Sequence, residues 1–328
     1  MMSEIFSIEQ VQRINNTALE HPLARYRHRA MASVFDVLLD APSPAAMQEM
    51  AALVFHEIDQ VERALSYFIP TSDISRINAL CAGEAVKVSP LTLDCLSRAR
   101  TVWQETGGAF EPTVGALLTG RKPWDAEGDE PAGGVAPDEP DGPGVVGMDL
   151  ISIDEDSLIV GLLADGVRLD LGGIGKGFAL DIGAEVLRSM DVSPFFLNGG
   201  ESVMLAVGAA PGLEGWPMTV SDPRLENEPL ASFIARDCAV AASSTADRPH
   251  VLNPETGDPA RRLGAWAVAP RAAEADALST AFLLMSDEAI AAYCAAHPGV
   301  RAILLDQQNG DPWLRTFGAW EGLHWKKS

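Results

Sequence analysis

Basic side chains are scarce in this 328-residue chain: 24 Lys and Arg stand against 46 Asp and Glu, a formal charge of −22. Such a surface is a poor match for nucleic acid, whose phosphates are bound by clustered Lys and Arg. Anionic membrane surfaces repel it for the same reason. Long apolar runs are missing too, since no stretch approaches the roughly 20 residues needed to span a bilayer. At the N-terminus no charged region leads into an apolar one. The expectation is therefore a cytoplasmic protein with no secretory signal, or a periplasmic one if a leader is missing. The four cysteines, Cys81, Cys95, Cys238 and Cys294, are scattered with no CxxC. That spacing argues against a zinc site or a disulfide framework and leaves reduced, mostly buried thiols. What the chain does have is ordinary globular composition, 47% hydrophobic and 21% charged, sufficient for a core well above marginal size.

Periodicity and end signals give the scaffold. The stretch from Ala32 to Leu39 has the β-branched and aromatic content of a strand. Ser43 as N-cap and Pro44 at the first helical position open a helix that runs to Leu65. On it Met47, Met50, Val54, Ile58, Val61 and Leu65 share one face. Ser89 and Gly107-Gly108 bracket a second helix from Pro90 to Thr106. Between Gly120 and Gly147 the chain is dense in Pro, Gly and carboxylates with no apolar period, which reads as an insertion in one domain. Residues 1–27 read as an N-terminal extension, and 28–328 as a single domain carrying that insertion.

From Val167 the pattern is strand (VRLDL), glycine turn (GGIGKG) and helix (FALDIGAEVLRSM). Further strands follow at SPFFL, Cys238 to Ala242 and Ala265 to Ala269. Helices are expected near Ala275 to Met285 and from Ser286. Mixed elements without strict alternation predict an α+β protein, a mixed β-sheet flanked by helices.

Three local features bear on chemistry. In Asp170-Leu-Gly-Gly-Ile-Gly-Lys-Gly177, glycines allow close backbone approach, and helix-terminal amides with Lys176 form an anion site. The spacing is neither a P-loop nor a full dinucleotide fingerprint, and a turn that only packs helix on strand is the plain alternative. Asp276 and Thr280 are four apart, so on a helix they share a face where carboxylate and hydroxyl suit an oxygen-loving cation such as Mg²⁺. A solvated face or helix cap would show the same spacing. His250 precedes the turn Asn-Pro-Glu-Thr-Gly257, where it can act as a general base or be structural.

Taken in order, MASVFDVLL, LSYFIPTSDISRIN, GGAFEPTVGALL, VRLDLGGIGKGFALD, FFLNGGES, PHVLNPETGDP and ADALSTAFLLM resemble the FAD:protein FMN transferases, the ApbE family, from about Met31 to Gly318. The resemblance implies the ApbE flavin-transferase fold and an enzyme that binds FAD. With Mg²⁺ such an enzyme moves FMN onto a Thr or Ser hydroxyl of an acceptor flavoprotein and releases AMP. It implies Asp276 and Thr280 as metal ligands, joined by a backbone carbonyl of Gly173 or Gly175. Met31 and Phe68 would line the isoalloxazine. Ala109, Phe110, Glu111, Thr113, Asp170, Lys176, Asp181, Asn198, Gly199, Gly200 and Glu201 would contact FAD. His250 would deprotonate the acceptor. The chain departs from the family pattern at Met31-Ala32-Ser33, where MGT is usual, and at Glu111 and Gly175, and the segment Ala242 to Pro249 ahead of His250 is shorter than usual. The same site with water as acceptor would hydrolyse FAD to FMN and AMP, and without turnover it would be a flavin-binding module.

Overall fold

The structure is a computed structural model that describes residues 23–39, 43–118, 144–225, 228–246, 251–308 and 311–326. An eight-stranded sheet organises it, in the order β1 (Ala24–Ala30), β2 (Ser33–Leu39), β6 (Phe195–Gly199), β7 (Val203–Val207), β10 (Cys238–Ser244), β11 (Gly264–Ala269), β12 (Arg301–Gln308) and β13 (Asp311–Phe317). Two three-stranded sheets accompany it. One joins β3 (Ala85–Lys87), β5 (Ile159–Leu162) and β4 (Ile151–Asp154), and the other β14 (His324–Trp325), β9 (Pro229–Ala235) and β8 (Trp216–Ser221). The α+β class is as the sequence predicts. Among the described residues every ladder is antiparallel, and parallel pairing is confined to the bridges Val114–Arg168 and Val145–Val167.

Both faces of the large sheet are covered at its centre, so β6, β7 and β11 are nearly continuous apolar runs whose alternate residues enter different cores. Phe195 and Leu197 of β6 face one core and Phe196 the other; Ala265, Ala267 and Ala269 of β11 are separated in the same way from Trp266 and Val268. The first core lies under α1 (Pro44–Leu65), α2 (Asp73–Asn78), α3 (Pro90–Glu105), α5 (Gly175–Ser189) and α6 (Ala272–Phe282). The second holds Trp216, Met218 and Phe233 of the β8–β9 layer. Two short helices, α4 (Gly115–Leu118) and α7 (Asp287–Ala296), complete the set. No helix among the described residues is long and apolar enough to cross a membrane.

α1 and α3 begin where their local signals place them. The Ser43 hydroxyl accepts from the Ala46 amide and Ser89 from Thr92, each followed by a proline. On α1, Val54, Ile58, Val61 and Leu65 are buried, each stabilising by about 1.5–3 kcal/mol relative to exposure. The predicted strand VRLDL is different: only Val167 and Arg168 make isolated bridges. Its polar groups are met from elsewhere. Asn78 donates from Nδ2 to the Leu169 carbonyl at 2.9 Å and accepts the Leu169 amide at 2.7 Å. The Asp170 amide donates to the Pro112 carbonyl. A side chain therefore takes the place of a neighbouring strand. Residues 119–143 of the acidic insertion lie outside the described residues, and β1 takes up residues 24–30 at the sheet edge.

Asp36 anchors this edge. It is buried on β2, where Arg25 and Arg27 donate to it at 2.9 and 3.0 Å and Asn198 at 3.3 Å. Burial alone would raise its carboxyl, but the two guanidiniums outweigh that and hold it below the usual carboxylate range. Because the folded pKa is depressed, the stabilisation is complete above the unfolded value of about 3.9 and is lost as pH falls through the folded one. Asp36→Ala is expected to cost about 2–3 kcal/mol in urea denaturation at pH 7, with wild type losing its advantage below about pH 4. A second prediction concerns Gly177, where a Cβ would overlap the Ala272 carbonyl. Gly177→Ala must push α5 and α6 apart, and a loss of about 3 kcal/mol is expected by thermal denaturation.

Candidate active site

The helices α5 and α6 meet at their N-terminal turns. Neither supplies a side-chain cap from its own N-cap residue, Ile174 or Arg271. Each is capped by the other. Asp181 of α5 accepts the Ala272 amide at 2.8 Å and the Ala273 amide at 3.1 Å, while Asp276 of α6 accepts the Gly177 amide at 2.9 Å. This exchange requires the backbones to touch, which is why position 177 has no side chain. It also moves the start of α6 to Ala272, ahead of the predicted start near Ala275, because its cap comes from a distant residue.

The two carboxylates end in different states. Asp181 commits both oxygens to amides and has Arg98 beside it at 3.4 Å. Asp276 commits Oδ2 only, and its Oδ1 has no hydrogen-bond partner among the described residues. Burial raises both carboxyls. For Asp276 the Lys176 charge and the Gly177 amide only partly offset that burial. A largely buried carboxylate with one oxygen fixed and one open is under-compensated and gains from a cation.

Around it the glycine turn gathers several expected residues. A Cβ at Gly173 would stand 3.3 Å from both Phe110 and the Thr280 hydroxyl, and one at Gly175 would stand 3.2 Å from the Met31 methyl. Gly200, at φ +66°, brings the β6–β7 turn against Ser33 and the Lys176 stem. Lys176 acts electrostatically on both Asp276 and Asp170, and Asp170 accepts the Gly172 amide at 2.7 Å. Burial pushes the Tyr67 phenol up, with Arg168 and Asp170 as its charged neighbours. Phe68 packs edge-on against Tyr67 at 5.6 Å.

Met31 and Ala32 are the two turn residues between β1 and β2, both at φ 52°. That turn normally takes Asn or Gly, so two ordinary side chains there are strained. The Met31 amide donates to Glu62 Oε1 at 2.7 Å, which fixes the turn over the glycine segment.

Other expected contacts are committed elsewhere. Glu111 accepts the Thr113 amide and hydroxyl and the Met148 amide, and Thr113 Oγ1 accepts the Gly147 amide. The pair ties residues 111–113 to 147–148 across the insertion. Asn198 spends its amide group on Asp36 and its oxygen on the Glu201 amide, and Gly199 faces Phe35 and Val203 in the core. Glu201 turns the chain at φ 61°, and Ala109 is half-buried beside Phe110. His250 lies outside the described residues. The turn after it forms as expected, with Asn253 Oδ1 accepting the Glu255 and Thr256 amides. Sequence reasoning passed over Glu62 and Ser243. Nothing in the helical pattern distinguishes Glu62, and Ser243 stood unremarked in the run ahead of His250.

Among the described residues no group of three or more His, Cys, Asp or Glu converges on one point. The available donors are one carboxylate, one hydroxyl and backbone carbonyls. That all-oxygen set fits Mg²⁺, which keeps several waters and takes few protein ligands.

Known proteins share the sequence pattern and fold of this chain. The ApbE family model matches residues 31–304. The chain is 29% identical over 294 residues to the FAD:protein FMN transferase of Treponema pallidum (strain Nichols), across 80% of this chain and 77% of that protein. It is 25% identical to the ApbE protein of Thermotoga maritima, with TM-score 0.72 over 86% of this chain and 94% of that one. The flavinyl transferase ApbE of Pseudomonas stutzeri, 20% identical, shares the fold with TM-score 0.74 over 90% and 94%. With the family pattern running through most of its length and its glycine turn and α6 packed together, the chain belongs to the ApbE family.

Proposed function

We propose that this protein is a transferase that takes FMN from FAD and attaches it to a Thr or Ser hydroxyl of an acceptor flavoprotein, releasing AMP in a Mg²⁺-dependent reaction. The observation that carries the proposal is Asp276, held at Oδ2 by the Gly177 amide and one helical turn before Thr280, whose hydroxyl meets the glycine turn at Gly173. Relatives named FAD:protein FMN transferase, from Treponema pallidum and Vibrio cholerae among others, support the same activity.

FAD enters as substrate, its ring against Met31 and Phe68 and its diphosphate over the glycine turn. There the positive end of the α5 dipole and the Lys176 ammonium meet negative charge. Asp276, Thr280 and a carbonyl of Gly173 or Gly175 would hold Mg²⁺, which when bound supplies charge neutralisation at the diphosphate. The acceptor oxygen forms a bond to the FMN-side phosphorus. The bond from that phosphorus to the bridging oxygen breaks, and AMP leaves with the electron pair. His250 takes the hydroxyl proton, which makes a weak nucleophile competent.

Mixing the protein with FAD and Mg²⁺, with and without an acceptor, tests this. AMP formed only with acceptor, and an acceptor heavier by FMN, is the expected result. AMP without acceptor would mean hydrolysis, and no AMP would mean binding alone. Asp276→Asn keeps an oxygen for the Gly177 amide but removes the charge. It is expected to slow AMP release by about 10²-fold or more while the thermal midpoint stays near wild type. Chelating the metal should have a similar effect on wild type and little further effect on the variant.

A further inference from the structure

We infer that Ser243 is a positioning residue for the Thr280 hydroxyl, turning it into a pure lone-pair donor toward the cation; the inference rests on the metal assignment proposed above. The order of three hydroxyl protons carries it. Ser279 Oγ donates to the Asp276 carbonyl at 2.8 Å, which uses its single proton. In the Ser243–Ser279 contact, 2.8 Å between hydroxyl oxygens, Ser243 must therefore be the donor. With that proton spent, Ser243 can only accept at its other contact, 3.2 Å from Thr280 Oγ1, so Thr280 donates to it. The Thr280 oxygen is left with lone pairs alone on the side facing Gly173.

The direction matters because a hydroxyl whose proton is free can turn that proton toward a cation and lose the attraction. One whose proton is taken from behind presents only its acceptor side. The relay exists because α6 lies close to the sheet. Ala239 and Ala241 of β10 meet the alanines of α6 in the core, which brings Ser243 within reach of Ser279 and Thr280. Ser243 itself is on β10, opposite Ala265, and supplies no oxygen to the proposed ligand set.

Calorimetric titration of Mn²⁺ into the FAD-loaded full chain tests the inference, with an FAD-only titration as reference. Ser243→Ala is expected to weaken Mn²⁺ binding about tenfold, and Thr280→Ala at least as much. The double variant should bind no more weakly than Thr280→Ala, because Ser243 acts through Thr280. A double variant with additive losses overturns the inference, since a side chain that merely packs would contribute regardless of residue 280. Binding by Ser243→Ala equal to wild type, with Asp276→Asn impaired, also overturns it and leaves the metal assignment standing. Equal binding by wild type and Asp276→Asn overturns the assignment and the inference with it. Should Ser243→Ala fold poorly, Ser279→Ala reads the same relay by removing the acceptor for the Ser243 proton. Weaker Mn²⁺ binding is then expected, and unchanged binding overturns the inference.

Discussion

The carboxylates of Asp181 and Asp276 cross between α5 and α6, each accepting amides from the first turn of the other helix. Burying a carboxylate is costly unless hydrogen bonds and opposite charge compensate it. At Asp181 both oxygens are met, through two amides and Arg98. At Asp276 one oxygen is met, by one amide, with Lys176 acting from farther off. The same motif, repeated with one partner missing, thus separates a structural carboxylate from one poised to hold a ligand.

That contact depends on small residues. Gly177 allows the backbones of the two helices to meet, and alanines on α6, β10 and β11 let the helix lie close against the sheet. Thr280, Ser279 and Ser243 then come within hydroxyl contact, and Thr280 reaches Gly173. Around this rigid centre the chain spends energy on geometry. The Met31–Ala32 turn stays in a left-handed conformation under the hold of Glu62, and Asp36 keeps Asn198 fixed below the β6–β7 turn. Lys176 links the two regions, its stem against Gly200 and its charge acting on Asp170 and Asp276.

Elements with local causes were legible in the sequence. The starts of α1 and α3 follow from Ser-Pro pairs that cap their own helices. Features with distant causes were not. α6 starts at Ala272 because of Asp181, and VRLDL lacks a ladder because Asn78 satisfies Leu169. In neither case is the partner close in the sequence. Family resemblance named the candidate site residues together without sorting roles among them. Met31, Phe110, Gly173, Gly175, Lys176, Asp276 and Thr280 gather at the glycine turn, whereas Glu111, Thr113, Asp181 and Asn198 have side chains occupied in holding the backbone. That distinction rests on hydrogen-bond satisfaction, which only the folded arrangement reveals.

Anomalous scattering from crystals of the protein soaked with Mn²⁺ and FAD tests the central claim most directly. The expected result is a single strong peak in coordination contact with Asp276 Oδ1 and Thr280 Oγ1, with Asp181 still on the amides of Ala272 and Ala273. A metal seated away from Asp276, or one that draws Asp181 off those amides into its ligand set, would contradict it.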